Sequence, residues 1–201
     1  LLMLYSGFAF APLAVFGGLW GIPFLETADH LTKSQAASLT SLMFFGLAIG
    51  GPLWGMLSEC LQTRFFIMFC GLILSLISIV ILLYLPFYLY VISALNSFLF
   101  GLGTGAFMLG FVLGKELNPL PLAATIVGLI NSGDALFGAF SEPIVGKLLD
   151  SFWQGKIVNQ ARVFSVYDYH LSLSLLPLYL LCALLILITL KQNVAANKNS
   201  V

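Results

Sequence analysis

Charged residues are what this chain has least of. Asp, Glu, Lys and Arg together make up 8% of it, against roughly 25% in a typical soluble domain. The eight basic and eight acidic residues cancel, so there is no basic face for nucleic acid. Cysteine is scarce too. Cys60, Cys70 and Cys182 lack metal-ligand spacing, and two of them lie inside apolar runs. They read as small buried hydrophobes, with no disulfide framework, no metal site and no cofactor motif. The two histidines, His30 and His170, fall in polar connections far apart in sequence and read as solvated, not catalytic. A cleavable signal is missing as well. The opening LLMLYSGFAF has no initiator Met and no basic n-region, which reads as the middle of a longer protein.

What is abundant is apolar surface: 60% of residues are hydrophobic and the mean hydropathy is +1.05. A soluble fold of 201 residues cannot hide that much and still show water a polar exterior, so the bilayer must be the main solvent. About 20 apolar residues cross the hydrocarbon core, and six stretches qualify, at about 1–25, 35–57, 65–85, 87–114, 123–149 and 171–190, followed by a polar tail, 191–201, expected to fray. The fold class is therefore an all-α membrane protein of six transmembrane helices, a single bundle over 1–201, with the lipid bilayer as its first partner. Thr32-Lys-Ser-Gln35 reads as a capping box opening the second span, and Pro86 as a tight turn between the third and fourth. Trp153, Tyr167 and Tyr169 fit interfacial anchoring.

Basic residues do not orient the chain. One side carries Arg64, Lys115, Lys191 and Lys198, the other Lys33, Lys147, Lys156 and Arg162, so the positive-inside rule is silent. Glycine spacing says more. Gly46/Gly50, Gly51/Gly55 and Gly110/Gly114 each put two bare backbone patches on one helix face, and Gly101, Gly103 and Gly105 follow in alternation, a pattern that permits close, sliding helix contacts.

The fifth span carries the unexpected polar residues: Asn131, Asp134, Ser141 and Glu142 fall within roughly a 100° arc of an ideal helix. An acid at mid-bilayer costs about 2.5–3.5 kcal/mol on insertion scales, and each Leu, Ile, Phe or Val returns only about 0.3–0.6. Two acids, Asn131 and Pro143 therefore cancel most of what the span's apolar residues gain. Its polar face is expected to line a bundle interior or a wet cavity. Asp134 has no Lys or Arg at its depth in any span, which leaves a proton, a coupling ion, a cationic substrate or a missing partner to answer its charge. Asp134, Asn131, Glu142 and, in the fourth span, Asn96 are the candidate pathway residues for a small-molecule substrate.

These residues carry a resemblance. The chain resembles the C-terminal six-helix half of a bacterial major facilitator superfamily (MFS) transporter. That family repeats a signature between the second and third helices of each half: Gly, three residues, Asp, a basic residue, one residue, Gly, two basic residues. Here Gly55 matches the leading glycine, Glu59 stands for the Asp and Arg64 for the last basic position. Cys60, Gln62 and Thr63 depart, so the charged latch this loop forms in the family is expected to be weak. Gly18-Leu-Trp-Gly-Ile-Pro23, Lys115-Glu-Leu-Asn-Pro119, and Gly128 through Asp150 are similar to the same half, with Glu142 where Gln is common. The resemblance implies a secondary transporter, a proton-coupled symporter working by alternating access in the inner or plasma membrane. It also implies cytoplasmic ends and a second six-helix bundle as partner. The alternative is a non-transporting sensor or degenerate half. An intramembrane serine protease is the rival enzyme class, but Ser132-Gly133 lacks the preceding glycine, and neither histidine lies in an expected span; no enzyme activity is expected.

Overall fold

The structure is a computed structural model that describes residues 1–85, 89–155, 157–158 and 161–199; the expected turn at Pro86 and the counted Lys156 lie outside them. Its helices are α1 (Leu2–Val15), a π-helical turn (Phe16–Trp20), α2 (Gly21–Ala28), α3 (Lys33–Cys60), α4 (Arg64–Tyr84), α5 (Tyr90–Thr104), a 3-10 turn (Gly105–Met108), α6 (Leu109–Glu116), a second 3-10 turn (Leu120–Leu122), α7 (Ala123–Phe152), α8 (Val166–Leu173) and α9 (Leu175–Asn199). Two-residue strands β1 (Ile157–Val158) and β2 (Ala161–Arg162) pair antiparallel in the last long connection. Among the described residues, six helical stretches are long and apolar enough to cross a bilayer. The all-α membrane architecture expected from the sequence is the one found.

Local chemistry sets the ends. The Thr32 hydroxyl accepts from the Gln35 backbone N–H while the Gln35 side-chain Oε1 accepts from the Thr32 N–H, the reciprocal cap read from the sequence. Ser165 and Asp168 repeat the device at α8. At the other end of α3, Gln62 turns the chain with φ 52°, in the left-handed region that ends helices.

Several details differ from expectation. The last helix starts earlier and ends later than a hydropathy window suggests: the α8 cap brings it forward to Val166, and α9 runs to Asn199 because no Gly or Pro interrupts 191–199. His170 is consequently not a loop residue; it lies on α8 against the rings of Phe24 and Tyr84. Tyr169 is buried against Phe24 and Phe164 instead of anchoring at an interface, and Cys60, expected among the buried cysteines, is exposed.

α5 sits between α3 and α4, and α1 between α7 and α9. The α3–α5 contact is backbone against backbone. A Cβ on Gly46 would meet the Phe98 carbonyl oxygen, one on Gly50 the Leu102 carbonyl, one on Gly101 the Met43 carbonyl oxygen, and one on Gly105 the backbone of Gly50 and Gly51. Trp54 bolts the same interface, its Nε1 donating to the Leu102 carbonyl at 2.6 Å. On the other side of α5, Gly103 lies against the Gly71 and Ser75 backbone, where the Ser75 and Thr104 hydroxyls are 3.1 Å apart. The pair Gly51/Gly55 does not work this way: Gly51 meets the Met108 thioether and Gly55 meets nothing within 4 Å.

Gly101→Ala should therefore destabilise the chain by about 1–3 kcal/mol or more, because backbone must move to admit one methyl group, whereas Gly55→Ala, in open space inside α3, should stabilise it by up to about 1 kcal/mol. Thermal denaturation of the two variants in one detergent checks the contrast.

Candidate functional site

α7 packs along α1. Gly133 admits the Met3 side chain and carbonyl, Gly7 admits the Phe137 ring, and Gly138 approaches Ala14. This seam divides the polar residues of α7 into two groups. Asp134, Gly138 and Ser141 turn inward, with Asp134 5% exposed and Ser141 1% exposed. Asn131 is exposed and Glu142 is half-buried, with its backbone carbonyl tied to the first span. The single polar arc of the ideal wheel is cut lengthwise by the edge of α1.

At the buried group, Asp134 stands beside Tyr5 and Ser6 of α1. Asp134 Oδ1, the Tyr5 hydroxyl and the Ser6 hydroxyl are all shut off from solvent without a hydrogen-bond partner among the described residues. A set of three orphaned buried oxygens is costly, and among the described residues no cationic side chain ion-pairs with the Asp134 carboxyl. One turn or more along, the Ser141 hydroxyl donates to the Phe137 carbonyl and lies 3.1 Å from the Tyr179 hydroxyl of α9.

The outward group is different. Asn131, Ala135 and Ala139 lie toward the uncovered side, Gly128 meets nothing within 4 Å, and Glu142 follows on the same strip. Next to this narrow strip of small and polar groups, the helix turns to large apolar residues, Leu129, Leu136 and Phe140. The Glu142 carboxylate faces Gly18, 3.8 Å from where a Cβ would sit. Its backbone carbonyl accepts from the Trp20 indole at 3.1 Å, so the π-helical turn of the first span is tied to α7 at this level. α3 carries a comparable strip, with Ser34, Ser38, Ser41 and Glu59 exposed, and an open cavity of about 670 Å³ lies along its first turns. The Ser38 and Ser41 hydroxyls donate to the Ser34 and Ala37 carbonyls, which masks their donors and leaves acceptors outward. Of the six spans, those containing α7 and α3 are the least covered, 17% and 33% buried, against 67% for the fourth.

Asn96 is not part of this arrangement. It is buried at 6% exposure, and its Nδ2 donates to the Ser78 carbonyl at 2.9 Å between α5 and α4. Ser132, the one serine followed by glycine in the fifth span, is exposed and donates to the Gly128 carbonyl. No group of three or more metal-ligating side chains occurs among the described residues.

At the α3–α4 loop, Glu59 is exposed, and its backbone carbonyl, not its carboxylate, accepts from Gln62. Arg64 reaches elsewhere. Its Nη2 and Nε donate to Glu116 Oε1 at 2.8 and 3.2 Å, and its Nη1 to the Ser58 hydroxyl at 2.6 Å. The ion pair thus joins the start of α4 to the end of α6. Sequence reasoning missed Glu116, Tyr5 and Ser6. The available signal was a polar group in an apolar run for Ser6, and an acid closing the fourth span on the loop's own side for Glu116.

No protein-family model matches the sequence. A stretch of 140 residues, 68% of the chain, is 30% identical to a hexuronate transporter of Bacillus subtilis, of which it covers 32%. The chain therefore spans about a third of the length of that curated relative. The likeness is to a transporter, and it agrees with six membrane-length helices among the described residues.

Arg64 and Glu116 should couple by about 0.5–1 kcal/mol, as expected for a partly exposed pair, and Glu59 should not couple to Arg64 at all. Double-mutant cycles of thermal stability, Arg64→Ala with Glu116→Ala and Arg64→Ala with Glu59→Ala, measure both.

Proposed function

We propose that this chain acts as the C-terminal six-helix half of an MFS secondary transporter, carrying a small solute across a bacterial inner membrane by alternating access. The observation that carries the reading is the strip on α7: Asn131 stands exposed, and Glu142 half-buried, on the less covered side of a membrane-length helix. Hydrocarbon penalises such groups there. A second bundle enclosing an aqueous path removes the penalty and gives the groups a use. The α3 strip is the other wall on this reading, and the likeness to a solute transporter supports it.

In this arrangement Asn131 and Glu142 contact the solute, while Asp134 takes up the coupling proton. The Asp134 carboxyl is buried in the α1–α7 seam and ion-pairs with no cation among the described residues, which leaves a coupling proton to answer its charge. Proton exchange between the two faces of the membrane then accompanies the change in α1–α7 contact. Asn96 holds α5 to α4 and acts only through packing. Both ends and the loop of Gly55, Glu59 and Arg64 face the cytoplasm.

The gene product containing both halves, reconstituted in proteoliposomes with a panel of sugars, sugar acids and other small solutes, tests the reading. Substrate-driven proton uptake is expected. Asp134→Asn should abolish uphill accumulation while leaving exchange of labelled solute, and Asn131→Ala and Glu142→Gln should raise the half-saturating solute concentration by roughly tenfold, the worth of about one buried hydrogen bond. If no solute moved label or protons, the chain would be a sensor or a degenerate half. Uphill uptake by Asp134→Asn at the wild-type level would remove the proton role and leave the transport reading standing.

A further inference from the structure

Two cavities adjoin at the membrane face where α4 begins and the apolar run of α9 ends. The first, about 540 Å³, is a trough between Phe65, Phe66 and Phe69 of α4 and Leu187 and Ile188 of α9, with Lys191 and Gln192 at its rim. The second, about 440 Å³, is lined by Thr63, Arg64, Glu116 and Lys191 among others, and shares Phe65, Phe66 and Lys191 with the first. One is floored by aromatic and branched apolar side chains; the other holds two cations and one carboxylate. Their axis runs from the hydrocarbon region to the helix ends.

This shape and polarity match an amphiphile. Three features narrow its chemistry. The trough lies on an exposed apolar side of α4 and α9, with Phe66, Phe69 and Ile188 all uncovered, so acyl chains have direct access. Lys191 makes no ion pair among the described residues. Arg64 spends Nε and one N–H from each of Nη1 and Nη2 on Glu116 and Ser58, which leaves one N–H on each of those two nitrogens, because a guanidinium has about five in all. Two cations against one carboxylate leave a single positive charge, suited to one phosphodiester.

We propose that the α4–α9 trough and the adjoining Arg64–Lys191 vestibule form a binding site for one monoanionic phospholipid. Its acyl chain lies over Phe65, Phe69 and Ile188, and its phosphate sits between the Lys191 ammonium and the free Arg64 N–H groups. The lipid thereby braces the Arg64–Glu116 link from the membrane side. The site stands on the surface opposite in kind to the polar strips of α3 and α7, and it does not depend on what the chain transports.

Native mass spectrometry of the chain released from nanodiscs of equimolar phosphatidylglycerol and phosphatidylcholine tests it. One phosphatidylglycerol adduct should persist in preference to phosphatidylcholine. Lys191→Gln should lower that preference about fivefold, the worth of one basic side chain at an anionic membrane surface. Ile188→Trp should fill the trough and remove the adduct whichever headgroup is offered. Equal retention of the two lipids by the wild-type chain, an unchanged preference in Lys191→Gln, or an undiminished adduct in Ile188→Trp would each overturn the proposal.

Discussion

The α3–α5 backbone contact governs how the rest of the bundle can be arranged. In hydrocarbon there is no hydrophobic force between helices, since lipid tails serve an apolar side chain as well as another helix does. Contact has to come from dispersion at very short range, and short range requires that side chains be missing. Gly46, Gly50, Gly101 and Gly105 supply that absence on both sides of one interface. Trp54 closes it with a hydrogen bond to a carbonyl. Once α5 is seated against α3, its opposite face is committed to α4 through Gly103, Gly71 and Ser75, and Asn96 satisfies a carbonyl that the same contact buries.

The α1–α7 seam follows the same rule with a different outcome. Here the approach is glycine against side chain at Gly7 with the Phe137 ring, and against side chain and carbonyl together at Gly133 with Met3. Such a contact tolerates adjustment, because a side chain can change rotamer where a backbone cannot. The seam also encloses the orphaned oxygens of Tyr5, Ser6 and Asp134. The bundle thus joins a rigid pair, α3 with α5, to a more yielding pair that holds the buried acid.

Much of this is legible in the residues. Six apolar stretches, the Thr32 cap and the close-packing role of Gly46, Gly50 and the 101–105 run follow from length, capping chemistry and spacing. The polar face of α7 is legible only in part: a helical wheel fixes which residues share an arc, but not where a neighbouring helix will lie across it. That is why Asn131 and Asp134, about 60° apart on an ideal helix, end in different environments. The length of the last helix is less legible because hydropathy sees polarity, while a helix needs only intact N–H groups and no breaker. The signature places Glu59 and Arg64 in one loop but does not show which acid Arg64 meets, and that acid, Glu116, lies 52 residues away in sequence.

The indoles lend themselves to a use that has nothing to do with packing. Trp20 reports on the π-helical turn against α7, Trp54 on α3 against α5, and Trp153 on the last connection, where the Arg162 guanidinium lies 4.8 Å from its ring centre. These are all the tryptophans in the chain, each at a different joint. Emission spectra of three proteins retaining one indole apiece would read the yielding seam, the rigid seam and the surface loop separately, with no label attached.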